Sequence, residues 1–392
     1  MMKTSNPFGI YIHIPFCKER CTYCDFLTYP HVPSFHAPYV EALIQEIRHP
    51  ETKRRLDGRR VSSIFLGGGT PSLLPPKALL RIFETLRGEV SLEESCEISI
   101  EANPDTITPE TAECFALCGI NRVSLGVQSF SPRLLEAMGR THHVDDVENA
   151  VRSLHKAGIC NINFDLIEGY PQQTISDIEH DLAAVEKYAP THISWYSLIL
   201  EEKTLLHYQW KRGRIAMMDE DSEWRLTEKI RSGIQELGYH RYEISNYAKT
   251  GFQSVHNLLY WTGEDYLGLG LGAASYIDGI RFEQTRRLGA YLAIGEEPLP
   301  ITILERTEED ALFEQMMTGL RKASGIQRSR FQKRNGVDPL AIAPRAFAEA
   351  REEGLADWND EALFLTEKGL DLQNRVLVAV YEEMDETMSA EK

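Results

Sequence analysis

A strand-length apolar or β-branched run recurs six times in the first two hundred residues, with helix-length segments between the runs. This alternation constrains the fold more than any other feature of the chain. The runs are Gly9 to Phe16, Val61 to Leu66, Glu97 to Ala102, Arg122 to Val127, Asn161 to Ile167 and His192 to Ile199. Between them lie Ser34 to Arg48, Pro76 to Leu86, Pro109 to Cys118, Asp145 to Ala157 and Ile175 to Tyr188, each with the length and period of a crossover helix. A helical crossover returns the chain to the end where the previous strand began, so the strands pair in parallel. Polar and glycine-rich motifs follow the strands directly. The expected fold is therefore α/β, a partial (β/α)6 barrel with its site at the C-terminal strand ends.

Beyond these units, Asp221 to Leu237 reads as a helix, Tyr239 to Ile244 as a strand and Tyr266 to Ser275 as a glycine-rich segment within apolar sequence. From about Arg306 the pattern changes to compact helices at Thr307 to Leu320, Gln327 to Asn335 and Ile342 to Gly354. A hairpin from Leu355 to Thr366 around Asn359 and Asp360 follows, then a last helix to about Glu383. This is a winged-helix-like α+β pattern. The expected division is residues 1–205 as barrel, 206–305 as barrel extension and 306–392 as the small C-terminal domain.

A winged helix raises the question of DNA, and Arg321 to Arg334 carries six basic and no acidic residues. The segment in the recognition position, Asp338 to Gly354, is net negative, and the whole chain carries a formal charge of -17. Phosphate binding depends on positive charge, so nucleic acid is not an expected partner. The longest apolar runs, such as Ile193 to Leu200, fall short of the roughly 20 residues of a membrane helix. The opening Met-Met-Lys-Thr-Ser-Asn-Pro has no apolar signal core. A cytoplasmic protein is expected.

Three of the seven cysteines fall within eight residues, Cys17, Cys21 and Cys24, directly after the first strand. Soft thiolates held close on a loop suit an iron-sulfur cluster, whose full ligand set is usually four. With three nearby, one iron of a [4Fe-4S] cluster is open to a chelating ligand; in radical enzymes that ligand is the amino and carboxylate group of S-adenosylmethionine. Reductive cleavage of its sulfonium then supplies the difficult chemistry. The competing readings are zinc completed by His13 or His31, and a cluster completed by the distant Cys160. Cys114 and Cys118, four apart on an expected helix, read as small core residues.

Other strand ends point to the same place. Gly67-Gly-Gly-Thr-Pro-Ser72 follows the second strand, where glycine lets backbone approach a ligand or simply turn tightly. It is not a phosphate loop, because no Lys-Ser or Lys-Thr follows the glycines. Glu101 ends the third strand, Gln128 the fourth, Asp165 lies in the fifth, and Arg140 follows in a loop. Such residues serve caps and turns individually, but together can reach the ribose, adenine and carboxylate of one ligand.

Tyr11 to Phe16, the three cysteines, Gly67 to Ser72, Glu101-Ala-Asn-Pro104, Gly126-Val-Gln-Ser-Phe130 and Asn163-Phe-Asp-Leu-Ile167 together resemble the oxygen-independent coproporphyrinogen III oxidase family over nearly the whole chain. The resemblance implies a radical S-adenosylmethionine partial barrel and that family's small C-terminal domain. By position it implies that Tyr11, Tyr23, Gly68, Gly69, Thr70, Glu101, Gln128, Arg140 and Asp165 contact S-adenosylmethionine.

The sequence departs from the porphyrinogen-oxidising branch. That branch has another cysteine two positions after the third cluster cysteine, where this chain has Asp25-Phe26 after Cys24, and a long N-terminal extension, where this chain begins its first strand at about Gly9. His256-Asn257-Leu-Leu-Tyr260-Trp261 resembles the signature of the HemW-like haem chaperones, and if helical it places His256 and Tyr260 on one face. An imidazole can ligate haem iron there while Asn257, Tyr260 and Trp261 lie beside it, although a lone histidine near aromatics also serves structural roles. The expected function is a chaperone that binds haem and transfers it to acceptor proteins. An electron donor for the cluster and peripheral contact with membrane-bound acceptors accompany that reading. The alternative is oxygen-independent coproporphyrinogen III dehydrogenase, a radical oxidative decarboxylase of haem biosynthesis.

Overall fold

The computed structural model describes residues 6–391, with side chains described through 386. Residues 1–5 of the opening segment, which bore on the absence of a signal core, lie outside the described residues. The chain divides into two compact units. The first comprises residues 1–240, 247–256 and 265–304; the second comprises 241–246, 257–264 and 305–392.

In the first unit the alternating pattern forms six parallel strands, adjacent in chain order: β1 (Phe8–Ile14), β2 (Val61–Gly68), β3 (Leu92–Ala102), β4 (Arg122–Gln128), β5 (Asn161–Glu168) and β6 (His192–Ser197). The long crossover helices His36–Arg48, Pro76–Glu89, Pro109–Leu117, Val144–Lys156 and Ile175–Tyr188 lie where the periodicity placed them. Alternation along each strand separates two environments. Ile10, Ile12, Ile64, Leu66, Ile100, Val123, Leu125, Phe164 and Ile193 are all buried in one apolar core. Cys114 and Cys118 belong to the same core. The intervening positions are polar: Ser63, Ser99, Glu101, Ser124, Asn163, Asp165 and Ser194. Helices cover the apolar face, which is why the strands read as apolar runs.

The strand order is open at both ends, so the barrel is partial. On the free side of β1 the glycine-rich segment supplies one more parallel strand, β7 (Asp265–Leu269). Antiparallel strands β8 (Ala274–Ile277), β9 (Ile280–Gln284) and β10 (Ile301–Leu304) extend it. No periodicity announces β7, because its partner lies more than two hundred and fifty residues upstream in sequence.

The second unit contains helices Glu308–Gly319, Arg328–Asn335, Pro344–Glu352 and Gln373–Glu391 with a three-stranded antiparallel sheet of residues Ile326–Gln327, Ala356–Trp358 and Ala362–Leu365. The wing turns at Asn359, whose side-chain oxygen accepts from the amides of Glu361 and Ala362. Part of the basic run is held within this unit. Arg328 bonds Asp338, Arg330 bonds Glu264, and Arg334 donates to the Gly263 carbonyl. Two of the six basic side chains, Arg328 and Arg330, are thus ion-paired with carboxylates. Among the described residues no helix is long and apolar enough to cross a membrane.

Candidate functional site

At the C-terminal ends of the strands lies a cavity of about 440 Å³, within the range of small-molecule sites. Cys17, Cys21, Cys24, Tyr23, Gly68, Gly69, Thr70, Glu101, Gln128, Arg140 and Asp165 all line it. Tyr11 does not. Its hydroxyl lies 3.0 Å from His13 Nδ1, and His13 Nε2 donates to the Leu27 carbonyl, so Tyr11 acts on the loop through His13. Ser124, Asn103 and Tyr196 also line the cavity. Strand alternation with Asp165 and Glu101 on neighbouring strands was the available sign for Ser124; Tyr196 had none beyond its place near the end of β6.

The glycines are needed chiefly because the chain passes tightly over the end of β1. Gly68 has φ +111°, and a Cβ there would sit 2.4 Å from the His13 ring; one at Gly69 would sit 2.6 Å from the Phe16 carbonyl oxygen. The amides of Gly68, Gly69 and Thr70 bond Glu101, Ile14 and Phe16, which ties the loop to β1 and β3. Gln128 sits at φ +66°, beside an irregularity in the β4–β5 register between Gly126 and Gln128. A non-glycine residue in that region stores strain, a feature that clusters at ligand sites.

The thiols already have donors. Arg140 Nη1 donates to Cys21 Sγ at 3.4 Å and Thr70 Oγ1 to Cys17 Sγ at 3.7 Å, while Arg140 Nη2 is anchored on Asn103 and the Gly126 carbonyl. Burial pushes Cys24 up to about 11 and raises Cys17, so thiolates here require a compensating cation. Among the described residues no three His, Cys, Asp or Glu side chains converge on a point that would hold one metal ion. Three cysteines on one cavity, with the Arg140 guanidinium donating to Cys21, suit an iron-sulfur cluster.

Across the cavity, burial pushes the Glu101 carboxyl up to about 7, aided by the like charge of Asp165, while the Gly68 amide opposes the shift. Burial raises Asp165 as well, against hydrogen bonds from Ser124 and Asn163 at 2.8 Å. Two desolvated carboxylates suit the sulfonium, ammonium or hydroxyl groups of a polar ligand.

The His256 motif forms the helix Val255–Thr262, but His256 does not line the cavity. It is 1% exposed, its Nδ1 lies 2.8 Å from the Ser63 hydroxyl, and its ring stacks on Phe65. Glu97 accepts from the amides of Val255 and His256 at the start of the helix. Burial, then the nearby Arg122, pushes the imidazole down to about 3, so it is neutral. The boundary between the units falls after His256. In the second unit the Trp261 ring lies under the Arg321 guanidinium, 4.7 Å from its centroid.

Residues 11–185 match the Radical SAM superfamily, and residues 307–372 match the HemN C-terminal domain. The structure resembles that of coproporphyrinogen III oxidase (HemN) from Escherichia coli, a radical SAM enzyme, with a TM-score of 0.82 over 96% of this chain and 90% of that one; at 22% identity the likeness speaks for the fold. The chain is 35% identical over 377 residues to heme chaperone HemW of Bacillus subtilis, covering 95% of this chain and 99% of that protein. It is 36% identical over 288 residues to heme chaperone HemW of Escherichia coli, covering 71% and 74%. Fold, cavity and matches together define a radical SAM protein with a HemN-type C-terminal domain. Within that class, the chain belongs to the HemW family.

Proposed function

We propose that this protein is a haem chaperone, which binds haem and passes it to acceptor proteins while retaining a [4Fe-4S] cluster and an S-adenosylmethionine site. The observation that carries the reading is 35% identity to a haem chaperone along 95% of the chain. Asp25-Phe26 after Cys24 supports it, because the porphyrinogen-oxidising branch that the sequence resembles has a further cysteine there.

In this reading Cys17, Cys21 and Cys24 hold the cluster, with Arg140 and Thr70 supporting the charge on two of the thiolates. Glu101, Gln128 and Asp165 orient S-adenosylmethionine within the cavity. The bound pair supplies reductive radical chemistry where an electron donor provides the electron. Asn257, Tyr260 and Trp261 offer aromatic and polar contacts for haem, with His256 as the iron ligand. The hydrogen bond of His256 Nδ1 with Ser63 favours a second reading, in which His256 fastens its helix to the barrel and haem lies against the rest of the motif. A cytoplasmic location and peripheral contact with membrane-bound acceptors belong to the same proposal.

The test is a paired assay on anaerobically reconstituted protein. Haem should bind with a defined absorption spectrum that changes in His256→Ala, and no protoporphyrinogen should form from coproporphyrinogen, reductant and S-adenosylmethionine. Robust turnover would replace the chaperone reading with the dehydrogenase. An unchanged spectrum in a folded His256→Ala variant would move the iron ligand elsewhere.

A further inference from the structure

The loop that carries Gln128 into the cavity is bent against its own preference. Gly126 pairs with Asp165 and Gln128 with Leu166, so Val127 is an extra residue on β4 and forms a bulge, a device that re-aims side chains beside ligand sites. The Ser129 amide donates to the Val127 carbonyl at 2.9 Å across Gln128, whose φ is +66°. This is a γ-turn of the rare positive-φ kind, which is strained. It folds the Gln128 carboxamide back over Gly126, where a Cβ would sit 2.9 Å from Gln128 Nε2 and 3.1 Å from Arg140 Nη2. Gln128 thus lines the cavity beside the guanidinium that donates to Cys21.

Such strain persists only where the surroundings hold it. One side chain collects the donors just beyond the turn. Asp181, on the outer helix Ile175–Tyr188, is fully buried and does not line the cavity. Its Oδ1 accepts from the Phe130 amide at 2.6 Å and from the Ser129 hydroxyl at 3.0 Å, and its Oδ2 lies 3.1 Å from the same hydroxyl. The Ser129 hydroxyl oxygen accepts in turn from the Ser131 amide at 3.1 Å. The Phe130 ring stacks on Tyr188 of the same helix, with 5.7 Å between centroids, so backbone and ring are both fixed to one element. On the near side of the turn, His142 Nε2 donates to the Val127 carbonyl at 3.2 Å. The helical neighbours of Asp181, Ile178, Leu182 and Val185, belong to the apolar core. A carboxylate is costly to bury there unless it is hydrogen-bonded, and among the described residues the hydrogen bonds of this one all go to Ser129 and Phe130.

We propose that Asp181 is a positioning residue of the S-adenosylmethionine site: from outside the barrel it clamps the strained turn that presents Gln128 to the cavity. The inference rests on the proposed S-adenosylmethionine reading of the cavity, and adds that affinity depends on a side chain that touches no ligand. Because the carboxylate acts through the turn, removing it matters only while Gln128 is present. A residue that merely fastens the fold would weaken binding equally with and without Gln128.

The test is a double-substitution cycle on cluster-reconstituted protein, with S-adenosylmethionine affinity read by equilibrium dialysis and iron content as the control for the cluster. Asp181→Ala and Gln128→Ala should each weaken binding by roughly tenfold or more, the lower end for a hydrogen bond to a charged group, with parental iron content. Together they should weaken it no further than the more damaging of the two alone. Asp181→Asn should bind nearly as the parent does, because one oxygen in the Oδ1 position accepts from both Phe130 and Ser129 while the new amide can donate to the Ser129 hydroxyl oxygen. If Asp181→Ala does not fold, Ser129→Ala takes its place in the cycle. It removes the hydroxyl that bridges Asp181 and the Ser131 amide, and should weaken binding by roughly threefold, again only while Gln128 is present. Losses that multiply in the double variant overturn this inference alone, as does parental binding in Gln128→Ala or in the folded variant that removes the clamp. A parent protein that binds no S-adenosylmethionine overturns the cofactor reading and this inference together.

Discussion

The two ends of the barrel in the first unit treat buried polar groups in opposite ways. At the C-terminal ends of the strands, Cys17, Cys21, Cys24, Glu101 and Asp165 line an open cavity, and burial raises the Cys17 and Cys24 thiols and both carboxyls. At the other end, Ser63 and Glu97 bond His256, and Asn163 bonds His192. The same residue types therefore face a cavity at one end and fasten the fold at the other. What separates them is whether their polar atoms meet a cavity or one another.

The largest effect tests the open end. Cys17→Ser, Cys21→Ser and Cys24→Ser should each abolish the cluster, read as loss of iron and of charge-transfer absorption while the fold persists. A variant that keeps full iron content would break the assignment of that cysteine. Next, Gly68→Ala should destabilise the protein by about 3 kcal/mol or more, because the new methyl has no room against His13 and the backbone is at positive φ. Denaturant melts check this.

His256→Ala should then cost about 2–4 kcal/mol, since it empties the space against Phe65 and removes the partner of the buried Ser63 hydroxyl. A loss near zero would erase the contrast between the two ends. A folded His256→Gln variant sharpens it: retained stability with lost haem binding assigns the imidazole to the ligand as well as to the fold.

The smallest effect is the pH dependence from Glu101. Its folded-state pKa, about 7, lies above the ordinary carboxyl value of 4.5, so the folded state binds the proton more tightly than the unfolded chain. Stability should therefore fall as pH rises from about 4.5 to about 7 and level off above, by up to about 3 kcal/mol. Glu101→Gln should flatten that part of the profile, and Asp181, also pushed up to about 7, supplies the slope that remains. S-adenosylmethionine binding should strengthen as pH rises through about 7, where the carboxyl ionises in the folded protein.

Much of this was legible in the sequence where one local pattern carried the information. Buried parallel strands under helices read as apolar runs, so β1 to β6 and their crossovers could be placed, and so could the hairpin around Asn359. The cysteines, the Gly67 to Ser72 loop, Glu101 and Gln128 stood out because they follow or lie at the ends of strands. What was not legible depends on pairing distant in sequence or on the inward side of a strand. β7 joins β1 from across the chain. Arg122 opens an apolar run and gives no sign that it points into the barrel. Tyr11 gives no sign in the sequence of its hydroxyl lying against His13. Nothing near His256 in sequence reveals its contacts with Ser63 and Phe65.

The most direct measurement of the central claim is haem transfer. Protein loaded with one haem is mixed with an apo-haemoprotein, and the absorption spectrum is followed. The account predicts that the spectrum of this protein's haem complex decays while that of the acceptor grows, faster than haem exchanges without the protein. Haem that stays bound, or reaches the acceptor no faster than free haem, would contradict it.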